Sequence, residues 1–123
     1  MVLMLVCCGQ PSASHSEKLN LEIMEVHDRL MPKMGELYKW EKKLRAEALN
    51  SPDSALFLRH AEAIAEANEY MMDWMRNFKV NFEGTEQEKE QYLLTQKQGI
   101  EQVQLLMTTS LEEAKKYLIN RAL

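Results

Sequence analysis

The sequence has little turn-forming material and almost no cysteine. Only 4 glycines and 3 prolines occur among its 123 residues. Because a β-sandwich or β-barrel needs a turn about every 8–12 residues, this scarcity disfavours both folds and favours a few long helices. The 2 cysteines, Cys7 and Cys8, are adjacent, a spacing at which a bridge between them is strained. No cysteine follows them, so we expect neither a disulfide framework nor a thiolate metal site in the folded part.

The sequence also lacks a concentration of positive charge. Its 15 lysines and arginines are scattered along the chain, and the formal net charge is −4. Since nucleic-acid binding depends on a concentrated cationic surface, we expect no nucleic-acid partner. The hydrophobic content of 46% is ordinary for a soluble domain, and a chain of this length is sufficient for one hydrophobic core.

No catalytic signature is present. The chain has no nucleophile elbow, phosphate-binding loop or dinucleotide fingerprint. Ferritin-like di-iron bundles use Glu-x-x-His pairs, but Met24 and Phe57 stand three residues before His27 and His60. The sequence therefore predicts a protein that is not an enzyme.

The N-terminal segment resembles the end of a lipoprotein signal peptide. An apolar run, MVLMLV at residues 1–6, is followed by Cys7, Cys8 and then a polar stretch. Lipoprotein signals place leucine three residues before the lipidated cysteine and a small residue directly before it, and Leu5 and Cys7 hold these positions relative to Cys8. The resemblance implies lipidation of Cys8, with palmitate among its acyl chains. Because the apolar run is short and no positive charge precedes it, we expect translation to begin upstream.

These features predict three regions. Residues 1–8 are the end of the signal peptide, residues 9–16 are a flexible tether, and residues 17–123 are a helical domain. We expect the protein to be anchored by its lipid to the inner or outer membrane of a bacterial cell envelope, on the periplasmic or the surface face. An apolar N-terminus buried against the domain is the alternative.

Apolar residues recur at three- and four-residue steps, which is typical of amphipathic helices. The first predicted helix runs from Glu17 to Leu49 and is expected to be kinked at Pro32. Its predicted core stripe consists of Ile23, His27, Leu30, Met34, Leu37, Leu44 and Ala48. The stripe of the second helix consists of Phe57, Ala61, Ile64, Asn68, Met71, Met75 and Phe78.

Capping signals separate the helices. Ser51, followed by Pro52 and Asp53, predicts the start of the second helix. Thr85 and Glu88 form the capping-box pattern at the start of the third. Because short connections force sequential helices to run antiparallel, the predicted fold is all-α, an up-down-up three-helix bundle of long helices.

Methionine is unusually frequent, with 9 in the chain, and six lie in two short segments: Met24, Met31 and Met34, then Met71, Met72 and Met75. If the hairpin turns near residue 50, facing residues have numbers that sum to roughly 101. This places His27 level with Trp74, and Met31 level with Tyr70. The sequence thus predicts that an imidazole, several thioethers and an indole meet between the first two helices.

These side chains are suited to Cu(I) or Ag(I). Thioethers select Cu(I) over Zn²⁺ or Mg²⁺, imidazole completes such a site, and an indole face can cap a monovalent cation. The ligand chemistry resembles that of small periplasmic Cu(I)/Ag(I) chaperones, which use Met, His and a capping Trp but are β-barrels. The candidate ligands are His27, Met31, Met71 and Met75, with Trp74 as the cap and Met24, Met34 and Met72 as a second tier.

Two other interpretations of the cluster stay open. Methionine is an adaptable core filler, and Trp74 is then a bundle anchor whose indole N–H is paired. A methionine-rich surface also suits a partner helix, and a long helical hairpin can pair with a second copy.

Two segments carry a resemblance to a known family. EVHDRLMPKMGEL at residues 25–37 and ANEYMMDWMRNF at residues 67–78 are similar to segments of small Bacteroidetes lipoproteins that are often labelled "viral A-type inclusion protein". The resemblance covers most of the chain beyond the tether. It implies a lipidated helical protein of the envelope and implies no activity. We therefore expect a non-enzymatic binding or scaffolding module, with Cu(I)/Ag(I) binding as the second hypothesis.

Overall fold

The computed structural model describes residues 14–122, which form three long helices: α1 (His15–Ala48), α2 (Ser54–Asn77) and α3 (Glu86–Ala122). Each helix packs against the other two, and no strand occurs within this range. The predicted all-α three-helix bundle is confirmed. Cys8, the rest of the predicted signal peptide and most of the predicted tether lie outside the described residues.

Contacts between the helices fix their directions. His27 contacts Trp74 and Met34 contacts Asn68. Because the residue numbers increase along α1 while those of their partners decrease along α2, the two helices are antiparallel. Lys97 pairs with Glu22 and Lys115 pairs with Glu36, so α3 runs in the same direction as α1. The topology is therefore up-down-up.

The start of α1 is tied to the start of α3. Ser14 caps α1, and its Oγ accepts a hydrogen bond from the N–H of Glu17 at 3.2 Å. The helix therefore begins at His15, two residues before the predicted start. Ser16, which was assigned to the tether, is buried and its hydroxyl donates to Oε1 of Glu86 at 2.6 Å. This bond holds the pKa of the Glu86 carboxyl below its ordinary value.

The start of α2 differs from the prediction. Ser51 Oγ accepts from the N–H of Asp53 at 3.1 Å, so this serine closes a turn rather than capping the helix. Asp53 occupies the N-cap position without a side-chain capping bond; its carboxylate instead lies 3.1 Å from Nε of Arg121. The capping box at α3 is confirmed, since the Glu88 N–H donates to Thr85 Oγ1 at 3.2 Å and Glu88 Oε1 accepts from the Thr85 N–H at 3.4 Å.

Pro32 does not end α1, which is continuous from His15 to Ala48. Proline deprives the carbonyl four residues earlier of its usual helical partner. Because Pro32 and Asp28 both lie on the exposed side of the helix, that carbonyl can bond to water. The helix can therefore continue past the proline without burying an unpaired group.

The hydrophobic core runs the length of the bundle, with its edges shifted from the predicted stripes. In α1, Val26 is buried while His27 and Met34 are only half-buried. In α2, Ala67 and Trp74 are buried, and three predicted core residues are half-buried instead: Asn68, Met75 and Phe78. The centre of each predicted stripe is confirmed, since residues such as Leu30 and Met71 are fully buried, and the difference lies at the edges, where it decides which methionines reach the surface.

No helix in the described range combines the length and apolarity that crossing a bilayer requires.

Candidate functional site

The structure brings His27 and Trp74 into contact between α1 and α2. Their ring centroids lie 6.3 Å apart, and the ring planes are inclined by 40°. The side chain of His27 is 22% exposed, and its Nδ1 lies 3.1 Å from Oδ1 of Asp28. The prediction that His27 lies level with Trp74 is confirmed. Because Nδ1 contacts Asp28, Nε2 is the ring nitrogen outside this contact.

Trp74 is part of the core. Its indole N–H donates to the backbone carbonyl of Gln96 at 3.1 Å, and its ring stacks on Phe78 with centroids 4.8 Å apart and planes inclined by 15°. One face of the indole is therefore covered by Phe78. This is the environment expected of a bundle anchor with a paired N–H, and it leaves only the remaining ring surface near His27.

The six methionines of the cluster fall into different environments. Met71 is fully buried at 0% exposure, whereas Met31 and Met72 are 42% and 39% exposed. The other three are half-buried: Met24, Met34 and Met75. The predicted ligand set thus combines a surface methionine, Met31, with one enclosed by the core, Met71.

Asn68 identifies the face of α2 that meets α1. Its Nδ2 donates to the backbone carbonyl of Met34 at 3.1 Å. Residues four apart on a helix lie one above the other, so Met72 occupies the same edge of α2 as Asn68. On α1, Met31 lies one turn from both Met34 and His27. By helix register, the α1–α2 boundary therefore carries four side chains, here called the His/Met seam: His27, Met31, Met72 and Met75.

A second surface lies between α2 and α3. It is an open groove of about 580 Å³, which the sequence did not predict. Small side chains line it: Ala63, Ala67, Gly99, Val103, Thr109 and Ser110. A Cβ at Gly99 would lie 3.4 Å from Cδ1 of Trp74, which is van der Waals contact, so α3 passes directly beside the indole at this residue. Tyr70, which is 46% exposed, and half-buried Leu106 add apolar surface to the walls.

Negative charge lies along the groove without a matching cation. Arg76 pairs with Asp73 and, at 2.7 Å, with Glu69, and these two bonds raise the pKa of Arg76. Within residues 14–122, neither Glu66 on the α2 side nor Glu113 on the α3 side forms an ion pair. The lining of the groove contains no lysine or arginine. The groove therefore combines an apolar floor with two acidic rims.

The remaining surface offers weaker candidates. Two other clefts lie around the loop between α2 and α3, and most of the residues that line each of them are polar. In the described part of the chain, no three His, Cys, Asp or Glu side chains cluster closely enough to hold a metal ion.

Comparisons of the chain with protein-family models, curated proteins and solved structures find no match. The resemblance to Bacteroidetes lipoproteins thus stays a prediction. The groove and the His/Met seam are the features from which a function can be inferred.

Proposed function

We propose that this protein is a non-enzymatic binding module that holds a basic amphipathic helix of a partner protein in the groove between α2 and α3. One observation carries the proposal: an apolar floor lies between two helices, and unpaired carboxylates border it on both sides. Recognition of an amphipathic helix by a hydrophobic groove is a recurrent binding mode.

The groove is long enough to hold part of one helix. Its α3 wall extends from Gly99 to Glu113 and its α2 wall from Ala63 to Tyr70, which at a rise of 1.5 Å per residue is about 21 Å and about 10 Å, so both walls would flank about two turns of a bound helix. Small residues on the floor give a partner backbone a close approach, and the exposed ring of Tyr70 supplies the kind of amphipathic surface that is enriched in protein interfaces.

The charges specify the partner. Glu66 and Glu113 stand on opposite rims, so a bound helix with lysines or arginines flanking its apolar stripe would meet a carboxylate on each side. Complementary rim charges speed association and fix the register of the bound helix. A second copy of this chain is a poorer occupant. The densest group of exposed lysines, Lys39, Lys42 and Lys43, lies on α1, which contributes nothing to the groove lining. Pairing this part of α1 with the groove of a second copy would be a head-to-tail contact, which does not form a closed dimer.

The groove can be tested with a defined probe. An 18-residue amphipathic helix of leucine and lysine should bind the full chain, and the isomer with glutamate in place of lysine should not. Glu66→Lys/Glu113→Lys should weaken binding of the lysine peptide at least tenfold, because attraction at both rims becomes repulsion. Fluorescence anisotropy of a labelled peptide at low salt measures both affinities.

A matched control separates the groove from net charge. Glu25→Lys/Glu47→Lys makes the same change in charge at two exposed positions of α1 and should leave the affinity within about twofold. Thr109→Trp, at an exposed position of the groove lining, should weaken binding by filling the space. Equal losses in the two charge variants, or no binding of the lysine peptide, would contradict the proposal.

We place this module in the bacterial cell envelope, tethered by a lipid on Cys8. The support is the sequence pattern in which Leu5 and Cys7 precede Cys8 as they do in lipoprotein signals. With a positively charged leader fused ahead of Met1 and expression in bacteria, the chain should incorporate labelled palmitate. Cys8→Ser should abolish the label, and Cys7→Ser, which keeps a small residue before the lipidation site, should retain it. Labelling that follows Cys7 instead, or no labelling of the parent chain, would rule out this tether.

A second candidate function is binding of Cu(I) or Ag(I) by the methionine cluster. The specific observation in its favour is the contact between His27 and Trp74 at 6.3 Å, which places an imidazole beside an aromatic ring among several methionines. The groove and the His/Met seam lie on opposite edges of α2, so the two functions do not compete for the same side chains.

A further inference from the structure

We infer that the soft-metal site of this protein lies on the His/Met seam and is formed by His27, Met31 and Met72, without Met71. The inference rests on the second candidate function and replaces the ligand set that the sequence predicted. Its basis is the combination of helix register and burial at the α1–α2 boundary.

Two contacts enclose the proposed site along the helices. His27 meets Trp74 at one level, and Met34 meets Asn68 at another. Met31 lies between His27 and Met34 in α1. Met72 lies between Asn68 and Trp74 in α2. The two contacts place Met31 opposite residues 70–71, so Met72 lies within about 3 Å of the same level along the bundle axis, on the facing edge of the neighbouring helix.

Burial distinguishes Met72 from Met71. Met71 has no exposed surface, and Met72, the next residue, is 39% exposed. Successive residues of an α-helix are separated by about 100°, so the two side chains leave α2 in different directions. For Met71 to bind an ion on the seam, it would have to leave the core and open a cavity, which is unfavourable in a well-packed interior. Met72 and Met31 can bind without that cost.

The donor set suits a monovalent soft ion. Two thioethers and one imidazole favour Cu(I) or Ag(I) over Zn²⁺ or Mg²⁺. The contact between Nδ1 of His27 and the Asp28 carboxylate at 3.1 Å resembles the outer-sphere carboxylates that orient ligating histidines, and it leaves Nε2 as the coordinating atom. Half-buried Met75, three residues from Met72, lies on the inner side of the seam as a further soft contact.

Adjacent methionines give a matched pair of variants. Under anaerobic, reducing conditions, the full chain should withdraw one equivalent of Cu(I) from a chromophoric chelator such as bicinchoninate. Met72→Leu should weaken Cu(I) binding at least tenfold, because leucine keeps the volume and removes the sulfur. Met71→Leu should leave the affinity within about threefold, since this swap in the core is close to volume-conserving. Circular dichroism should give the same helix content for both variants.

The outcomes separate the inference from the function on which it rests. If Cu(I) binds and Met71→Leu rather than Met72→Leu weakens it, the His27, Met31 and Met72 set is overturned while Cu(I) binding stands. If the chain withdraws no Cu(I), both are overturned. X-ray absorption of the copper-loaded protein provides a second measurement: the parent chain should show sulfur and nitrogen neighbours, and Met72→Leu should lose sulfur scattering. Unchanged sulfur scattering would overturn the assignment of Met72.

Discussion

Replacement of Phe57 by alanine should lower the free energy of unfolding by about 3–5 kcal/mol, the range for a phenylalanine removed from a packed core. Phe57 has no exposed surface. Its ring packs edge-to-face against Tyr117, with centroids 5.3 Å apart and planes inclined by 78°, and the Arg121 guanidinium lies 4.8 Å from its centroid. Alanine would remove these contacts and leave a cavity where α2 meets α3. Urea unfolding followed by circular dichroism measures the change.

The residue before Phe57 provides its control. Leu56 is 39% exposed, and its replacement by alanine should change the unfolding free energy by less than about 1 kcal/mol. A loss of less than about 1.5 kcal/mol for Phe57→Ala, or a similar loss for Leu56→Ala, would show that the first turns of α2 do not pack in this orientation. The α2 wall of the groove would then lack support from the N-terminal turns of its helix.

Replacement of Met71 by alanine is the second large effect, an expected loss of about 2–5 kcal/mol. Met72→Ala should change stability by no more than about 0.5 kcal/mol, as is usual for surface positions. The contrast arises because the core encloses Met71 completely while Met72 lies at the boundary with solvent. The same unfolding measurement, with equal denaturant slopes for the two variants, tests it.

The Met71 and Met72 pair reports the rotation of α2 about its own axis. One edge of this helix carries Asn68, which bonds to α1, and contributes Met72 to the seam, and the other contributes Ala63, Ala67 and Tyr70 to the groove. Equal stability losses for Met71→Ala and Met72→Ala would mean that the helix is rotated from this position. The seam and the groove would then both lose their basis.

Much of the fold follows from local sequence signals. Three- and four-residue spacing of apolar residues is strong in each long segment, and the Thr85 and Glu88 pair marks the start of α3 as predicted. The prediction that α2 starts at Ser51 is wrong because a serine before a proline is an equally good signal for a turn. Only the bond from the Asp53 N–H to Ser51 Oγ decides between the two.

The candidate site was predictable in its level along the helices but not in its rotation. The length of the hairpin was enough to place His27 beside Trp74. The rotation of a helix about its own axis depends on which of several neighbouring residues points into the core. In α1, both Val26 and His27 are candidates for that position. Asn68 carried the signal for this rotation. An amide in an apolar stripe is expected near the boundary of the core, so Met72, one turn further along the same edge, is expected to be more exposed than Met71.

The groove could not be read from either helix alone. Its floor consists of alanines, a glycine and a serine from segments more than thirty residues apart, and small residues contribute little to a hydrophobic pattern. The space exists because small side chains of α2 and α3 face the same side of the bundle. Only the packed structure brings them together.

The most direct measurement is a map of backbone amide shifts in isotope-labelled full-length protein titrated with the leucine and lysine helix. If the groove is the binding surface, the largest shifts should fall on residues 63–70 of α2 and 99–113 of α3, and Glu66→Lys/Glu113→Lys should need at least tenfold more peptide to produce them. Shifts concentrated on α1 or on the His/Met seam, or no saturable shifts at all, would contradict the proposal that this protein works by holding a basic helix between α2 and α3.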